Sequence, residues 1–216
     1  MTILIIIFIA VGLYIYEKRN INSKQIALIS IMSALGALGR IPFAAIPNVQ
    51  PTTFIVIVTG YSMGPLAGFV TGVLSAGISN FFLGQGPWTP WQMIDWGFAG
   101  VTAGLAGKIK IGFNKPAFAI FCGVWGFLFG WIMNFWTWYS YTSPHSLKGY
   151  LILCASSFWF DTLHGAGNII FAWLFGAEFV NIVTRFQRKM SIDVKIEEEN
   201  RVTQVRAKYG QRSEGY

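Results

Sequence analysis

The chain has 216 residues, of which 54% are hydrophobic and only 12% are charged, and its formal net charge is +7. A globular domain averages about 25% charged residues, so this composition and a mean hydropathy of +0.51 exclude an ordinary soluble domain and indicate a membrane protein. The basic residues flank apolar runs without interleaved aromatic residues, which argues against a nucleic-acid partner. The two cysteines lie in apolar runs and predict neither a disulfide framework nor a metal cluster.

The N-terminal segment is apolar over residues 1–16 and ends in the charged triplet 17–19. No positive region and no small-residue cleavage site precede these charges, so the segment predicts a retained leader span over 1–19 rather than a signal peptide.

The remaining apolar runs predict six further spans, so we expect an all-α membrane protein: a six-helix transmembrane bundle over 20–189 with an extra N-terminal span. These runs are 24–38, 53–63, 64–82, 91–107, 116–136 and 151–183. The last run is longer than the roughly 20 residues that a straight span needs. We therefore expect an interfacial start over 151–160 and a crossing that begins at Asp161.

Small residues recur at helical spacing in two of these spans. Gly64, Gly68, Gly72 and Ala76 follow one another every four residues, which predicts a smooth face that another helix can approach closely. In the first core span, Ser30, Ala34 and Ala37 are likewise spaced for close helix contact. We predict that these three residues form a docking face for a partner helix rather than a ligand face.

Basic residues gather in the loops and termini on one side of the predicted bundle. Because positive residues mark the cytoplasmic face, we expect a cytoplasmic C-terminus, with 190–216 forming a charged tail. The proline-containing segment 41–52, the tryptophan turn and the loop 137–150 then face outward. The basic set comprises Lys18, Arg19, Lys24, Lys108, Lys110, Lys115, Arg185, Arg188 and Lys189.

Polar side chains accumulate in the outward half of the predicted bundle. Asp161, His164 and Asn168 have the i, i+3, i+7 spacing that places them on one helix face. Ionisable groups inside a span usually face the bundle interior and mark a ligand or proton path. The alternative is that these groups only hydrogen-bond to one another and to neighbouring helices.

A second cluster combines aromatic rings with polar groups around the turn 80–95. The tryptophans there could belong to an interfacial aromatic belt, but their polar neighbours favour a pocket for a small organic ligand. We therefore predict a pocket between the segment 40–53, this turn and the stripe 161–168. The predicted substrate-binding residues are Arg40, Asn48, Gln50, Thr53, Asn80, Gln85, Trp88, Trp91, Gln92, Asp95, Trp96, Asp161, His164 and Asn168.

Signatures of catalysis are scarce. The sequence contains no HExxH, no GxSxG and no glycine-rich phosphate loop with lysine. Asp161 and His164 could form an acid–base pair or half of a metal site, but no second ligand cluster accompanies them. We therefore predict a binding protein that is not itself an enzyme and that carries no metal and no cofactor.

The segment IPNVQPTTFIVIVTGYSMGPLAGFVTGVLSAGISNFFLGQGPWTPWQMIDWGFAGVTAGLAG, the Ala/Ser-rich first span and DTLHGAGN resemble the substrate-binding S component of an energy-coupling factor (ECF) vitamin transporter. The resemblance implies six helices around an outward-facing vitamin pocket, a transmembrane T component and two cytoplasmic ATPases as partners. It also implies that small residues of the first helix, here Ser30, Ala34 and Ala37, contact the T component. The QGPWTPWQ turn is most similar to the branch associated with cobalamin uptake, whereas the leader span and the tail fall outside the six-helix pattern.

Two other classes of function stay open from the sequence. One is a stand-alone secondary transporter or channel that uses Asp95, Asp161 and His164 as a proton path. The other is a membrane-embedded enzyme.

Overall fold

The computed structural model describes residues 1–19, 22–109 and 113–213, with side chains as far as Met190. The predicted loop residue Lys110 and the tail residues 214–216 lie outside the described residues. Within these ranges the chain is all-helical, without strands. The seven helices are α1 (Thr2–Glu17), α2 (Ser23–Phe43), α3 (Thr52–Met63), α4 (Pro65–Leu83), α5 (Thr89–Gly107), α6 (Lys115–Tyr141) and α7 (Leu147–Ser213).

Local sequence signals explain where several helices begin and end. The Asn22 side chain accepts a hydrogen bond from the backbone N–H of Lys24 at 3.1 Å, and Asn114 accepts one from Ala117 at 3.0 Å, so these residues cap α2 and α6. Gly64 separates α3 from α4 with a φ of 100°, which favours glycine, and Pro65 opens α4. The predicted break at this step is confirmed.

Helix α2 is longer than the sequence predicted. We expected the first core span to end at residue 38 and an irregular segment to follow from residue 41, but α2 continues to Phe43 with Pro42 inside it. Pro42 lies in the last turn, where the helix ends one residue later, so its missing N–H interrupts little of the helix. The connection to α3 is therefore the shorter loop 44–51.

Helix α7 is one uninterrupted helix of 67 residues. The predicted interfacial start over 151–160 and the predicted crossing from Asp161 both lie within this one helix, because the segment contains no proline that would end it. The helix also continues through the charged region after Met190 as far as Ser213.

Four of the described helices are long and apolar enough to cross a membrane: Ser23–Phe43, Pro65–Leu83, Lys115–Tyr141 and Leu147–Met190. The outer surface is apolar as well, since Ile3, Leu4 and Trp159 are about 70% exposed. A surface of this kind is suited to lipid rather than to water. The chain is therefore an all-α, multi-pass membrane protein.

Helix α3 occupies the centre of the bundle. It packs against α2, α4, α5, α6 and α7, and its residues from Thr52 to Gly60 are all buried. Twelve residues rise only about 18 Å, less than the roughly 30 Å of a hydrocarbon core. Because the surrounding helices cover it, its ends lie inside protein rather than in lipid. The central helix thus brings interior polar groups near one end of the bundle.

Glycines allow the helices around α3 to approach closely. A Cβ atom added to Gly100 of α5 would overlap the backbone of Gly68 in α4, and one added to Gly72 would overlap the backbone of Trp96. The predicted close-contact face along α4 is thereby confirmed. Helix α1 packs on the outside of this α4–α5 pair, and α6 pairs with α7 on the other side.

Candidate functional site

A cavity of about 430 Å³ opens at the end of the bundle where α2 terminates. The loop 44–51 forms one side, and α5, α6 and α7 supply the others. Its lining residues are Arg40, Phe43, Ala44, Ile46, Asn48, Val49, Gln50, Leu83, Gln92, Phe129, Gly130, Met133, Asn134, Ser157, Phe160 and Asp161.

Arg40 dominates one wall of the cavity. Its Nε donates a hydrogen bond to Oε1 of Gln50 at 2.9 Å, and its Nη1 donates to Oγ of Ser79 at 2.6 Å and to Oδ1 of Asn80 at 2.8 Å. The guanidinium carbon lies 4.9 Å from the centre of the Trp96 ring, within the range of a cation–π contact. Arg40 thus ties the loop, α4 and α5 together beside the cavity.

Asn80 extends this wall to the start of α5. Its Nδ2 donates to Oγ1 of Thr89 at 3.0 Å and to Oε1 of Gln92 at 2.8 Å. Since Asn80 is only 1% exposed, these bonds satisfy a buried amide and hold the turn between α4 and α5 in place.

The opposite wall is built from α6 and α7. Oδ2 of Asp161 accepts a hydrogen bond from Ser157 at 2.8 Å, and Ser157 accepts one from Nδ2 of Asn134 at 2.7 Å. Gly130 leaves room for the carboxyl group, because a Cβ atom there would overlap Asp161. The predicted site did not include Gly130, Asn134 and Ser157, although Ser157 lies one helical turn before Asp161.

A buried polar chain lies beneath the Arg40 wall. Oγ1 of Thr53 accepts a hydrogen bond from Nε1 of Trp96 at 2.9 Å and lies 2.9 Å from Nε2 of His164. All three side chains are fully buried. None of the three lines the cavity. They are linked to Arg40 through Trp96, whose ring lies against the guanidinium.

The predicted site residues fall into three groups by position. Five of them line the cavity: Arg40, Asn48, Gln50, Gln92 and Asp161. Four belong to the hydrogen-bond networks behind its wall: Thr53, Asn80, Trp96 and His164. The other five lie elsewhere: Gln85, Trp88, Trp91, Asp95 and Asn168.

The tryptophans of the turn, Trp88 and Trp91, were predicted to bind the ligand, but neither lines the cavity. Trp88 packs edge to face against Trp136, with 6.2 Å between the ring centroids, and Trp91 is buried against Phe135. Gln85 is exposed and donates to the backbone of Gly77. The aromatic part of the cavity comes instead from Phe43, Phe129 and Phe160, which we did not predict because they carry no polar signal.

Asp95 and Asn168 are fully buried, and neither lines the cavity. Among the described residues, both carboxyl oxygens of Asp95 and both polar atoms of the Asn168 amide have no hydrogen-bond partner, and neither has Nδ1 of His164. Such groups are costly in a low-dielectric interior.

The predicted docking residues of α2 do not share one environment. Ser30 and Ala34 are exposed, but Ala37 is 1% exposed, because its side of α2 faces the bundle. Ala37 is therefore not available to a partner. The exposed side continues into an apolar groove of about 610 Å³ between α2 and α7, which includes Ala27, Ile31 and Phe186.

Basic residues gather at the ends of the helices that point away from the cavity. Lys24 begins α2 and Lys108 follows α5, whereas Arg40 and Gln92 lie near the opposite ends of these helices. Arg19 lines one groove together with Lys108, and Lys24 lines another together with Lys189. The cavity and the basic cluster therefore lie at opposite ends of the bundle.

Comparison with known proteins gives both a family and relatives. A family model described as "ECF transporter, substrate-specific component" matches residues 24–186, about three quarters of the chain. UPF0397 proteins from Aliivibrio salmonicida and Aliivibrio fischeri are each 28% identical over 113 residues, which cover 47% of this chain and 61% of the relative. One from Vibrio atlanticus is 26% identical over 91 residues, covering 40% of this chain and 50% of the relative. The chain thus spans less than two thirds of these curated relatives, and no solved structure matches it.

Proposed function

This chain belongs to the substrate-specific components of ECF transporters, and we propose that it binds a vitamin in the cavity beside Arg40. It delivers the vitamin across the membrane together with a transmembrane T component and two cytoplasmic ATPases. The cavity is the observation that carries the proposal, because it combines an apolar wall with a few convergent polar groups, as small-molecule sites do.

The proposed direction of binding is from outside the cell. The cavity lies at the end of the bundle away from Lys24, Lys108 and Lys189, and positive residues mark the cytoplasmic side. We therefore propose an outward-facing cavity and a cytoplasmic C-terminus. The loop 44–51 forms one side of the cavity, and we propose that a vitamin enters past it.

Partner subunits follow from the energetics of uptake. The sequence has no phosphate-binding loop with which to hydrolyse ATP, and binding to one state alone cannot concentrate a ligand. We propose that the T component docks on the exposed face of α2 that contains Ser30 and Ala34. The small side chains there permit a close helix approach.

The size of the cavity bears on which vitamin it takes. The QGPWTPWQ turn resembles the cobalamin branch, which makes cobalamin one candidate. The cavity of about 430 Å³ lies in the lower half of the range for drug-sized ligands, about 300–1,000 Å³, and a corrin ring with its nucleotide loop needs more room. We propose a smaller vitamin for a cavity of this size, and cobalamin requires the loop 44–51 to move outward.

The direct test is to identify the small molecule that the purified chain retains in detergent, by mass spectrometry, and to measure its affinity by calorimetry. We expect one retained vitamin, and we expect Asp161→Ala to weaken its binding while the protein stays folded. Recovery of cobalamin would show that the cavity opens. A folded chain that binds no vitamin would contradict the proposal.

A second candidate function, proton-coupled secondary transport, is favoured by the unpaired buried groups of Asp95 and His164. Ionisable residues inside a bundle can form a proton path. Asp95→Leu separates the two readings, because Asp95 does not line the cavity. In a binding subunit this variant retains the ligand and is stabilised by about 1–3 kcal/mol through loss of unsatisfied buried oxygens. In a proton-coupled carrier it abolishes transport.

A further inference from the structure

We infer that the ligand of this cavity is a compact monocarboxylate, with its carboxylate on Arg40 and an N–H or O–H donor group at its other end facing Asp161. The inference rests on the proposed function and adds the chemical class of the ligand to it. The argument compares the hydrogen-bonding atoms of Arg40 and Asp161 that already bond to protein with those that have no protein partner among the described residues.

Arg40 retains hydrogen-bonding capacity at the cavity. A guanidinium has five N–H donors in a planar fork, and the bonds to Gln50, Ser79 and Asn80 come from Nε and Nη1. Within the part of the chain that the structure describes, Nη2 has no protein acceptor, and Arg40 lines the cavity. Two N–H groups of a permanent cation are thus free for an anionic oxygen, the partner that arginine binds most strongly.

Arg40 also forms no ion pair among the described residues, and the one acidic residue of the lining, Asp161, belongs to the other wall. The hydrogen-bond partners of Arg40 and the Trp96 ring beneath it are all neutral. A charge held away from water is costly without a counter-ion, so a ligand anion gains more here than at an exposed arginine. Arg40 is the only cation among the lining residues. One positive charge matches a carboxylate and leaves a doubly charged phosphate monoester underneutralised.

Asp161, on the opposite wall, offers a hydrogen-bond acceptor to the ligand. Ser157 occupies Oδ2 of the carboxyl group, while Oδ1, beside Gly130, has no donor among the described residues. This atom is an acceptor at the cavity, and a ligand N–H or O–H group satisfies it. Phe129, Met133 and Phe160 also line the cavity, and their apolar side chains suit an apolar or heterocyclic middle section of the ligand.

The test uses five vitamins, biotin, pantothenate, riboflavin, thiamine and cobalamin, with the purified full-length chain in detergent. Biotin and pantothenate each carry a carboxylate at one end and N–H or O–H donors elsewhere, whereas riboflavin is neutral and thiamine is a cation. We expect at least one carboxylate to bind more tightly than riboflavin, thiamine and cobalamin. For that ligand, Arg40→Met and Asp161→Asn should each weaken binding roughly 10- to 100-fold, the range for hydrogen bonds to charged groups.

A matched control addresses net charge. Lys148→Met removes one positive charge from the exposed start of α7, away from the cavity lining, and should leave affinity unchanged. Arg40 also holds the cavity wall together through its hydrogen bonds, so its replacement could weaken binding indirectly. A second comparison therefore uses an analogue of the ligand in which a primary amide replaces the carboxylate. The parent should prefer the acid to the amide about tenfold or more, and Arg40→Met should lose that preference, which a purely structural role would not alter.

The outcomes separate the inference from the proposed function. If riboflavin, thiamine or cobalamin binds more tightly than either carboxylate, or if Arg40→Met keeps the acid-over-amide preference, the inference is wrong and the binding-subunit function stands. If the folded chain binds none of these compounds and retains no small molecule through purification, both are contradicted.

Discussion

The hydroxyl group of Thr53 contacts polar atoms of two large buried side chains at once. Nε1 of Trp96 donates to it at 2.9 Å, and Nε2 of His164 lies at the same distance. Trp96 in turn lies under the guanidinium of Arg40. This one hydroxyl therefore stabilises the interior and helps to set the position of the cation that lines the cavity.

We expect Thr53→Val to lower the free energy of unfolding by about 1–3 kcal/mol, because the nearly isosteric valine leaves the indole N–H without an acceptor. Thr59→Val is the matched control. Thr59 is equally buried on the same helix, but its hydroxyl only donates to the backbone of Ile55. The control should cost less than about 1 kcal/mol. Thermal unfolding followed by tryptophan fluorescence measures both, and equal losses would refute the role assigned to Thr53.

The sequence could predict the polar members of the site better than the apolar ones. Arg40, Gln50 and Asp161 were predicted because a charged or amide side chain in an apolar chain is conspicuous. Phe129 and Phe160 were not, since nothing distinguishes a phenylalanine that lines a cavity from one that faces lipid. Trp88 was predicted for its chemistry, but only the packing against Trp136 reveals that it lies outside the cavity.

At the scale of helices, the close contact between α4 and α5 depends on glycines, which have no side chain to keep the two backbones apart. Gly100 contacts the backbone of Gly68 directly. We expect Gly100→Ala to destabilise the bundle by about 1–3 kcal/mol, the usual cost of overpacking, although alanine favours a helix by about 1 kcal/mol over glycine.

Gly77→Ala is the control for that experiment. Gly77 lies in α4, the helix that Gly100 contacts, but a Cβ atom at Gly77 would meet only the end of Met93, at 3.8 Å. This variant should be neutral or slightly stabilised through helix propensity. Both variants are compared by thermal melting in the same detergent, and an unchanged melting temperature for Gly100→Ala would contradict the proposed packing.

The exposed face of α2 carries the proposed docking function. Ala34→Phe adds a bulky ring where a partner helix would approach closely, so we expect uptake by the complete complex to fall at least tenfold while the isolated subunit binds its ligand normally. Ala166→Phe places the same ring at an exposed alanine of α7 and serves as the control. Loss of ligand binding with an intact complex would move Ala34 to the ligand site.

Helix boundaries could be predicted only where the sequence carries a strong breaker. The Gly64-Pro65 step was predicted correctly because two residues oppose helix continuation there. The end of α2 was missed, since Pro42 in a last turn is compatible with a helix. The continuity of α7 from Leu147 to Ser213 was not predicted, because the length of an apolar run does not indicate how far a helix extends beyond it.

For the molecule as a whole, the two ends of the bundle differ in chemistry. One end holds the cavity with Arg40 and Asp161, and the other collects lysines and arginines around the ends of α1, α2 and α5 and around Lys189 within α7. The sequence predicted this asymmetry, because the basic residues cluster in particular loops. We propose that the first end receives the vitamin from outside and that the second lies near the ATPases.

The central claim is that this chain binds a vitamin but depends on partner subunits for energy. It is tested most directly by uptake into liposomes, with a radiolabelled form of the vitamin that mass spectrometry of the purified chain identifies. We predict no accumulation by the chain alone, even under an imposed proton gradient, and ATP-dependent accumulation after the T component and both ATPases are added. Accumulation by the chain alone under the proton gradient would contradict the account and assign Asp95, Asp161 and His164 to a proton path.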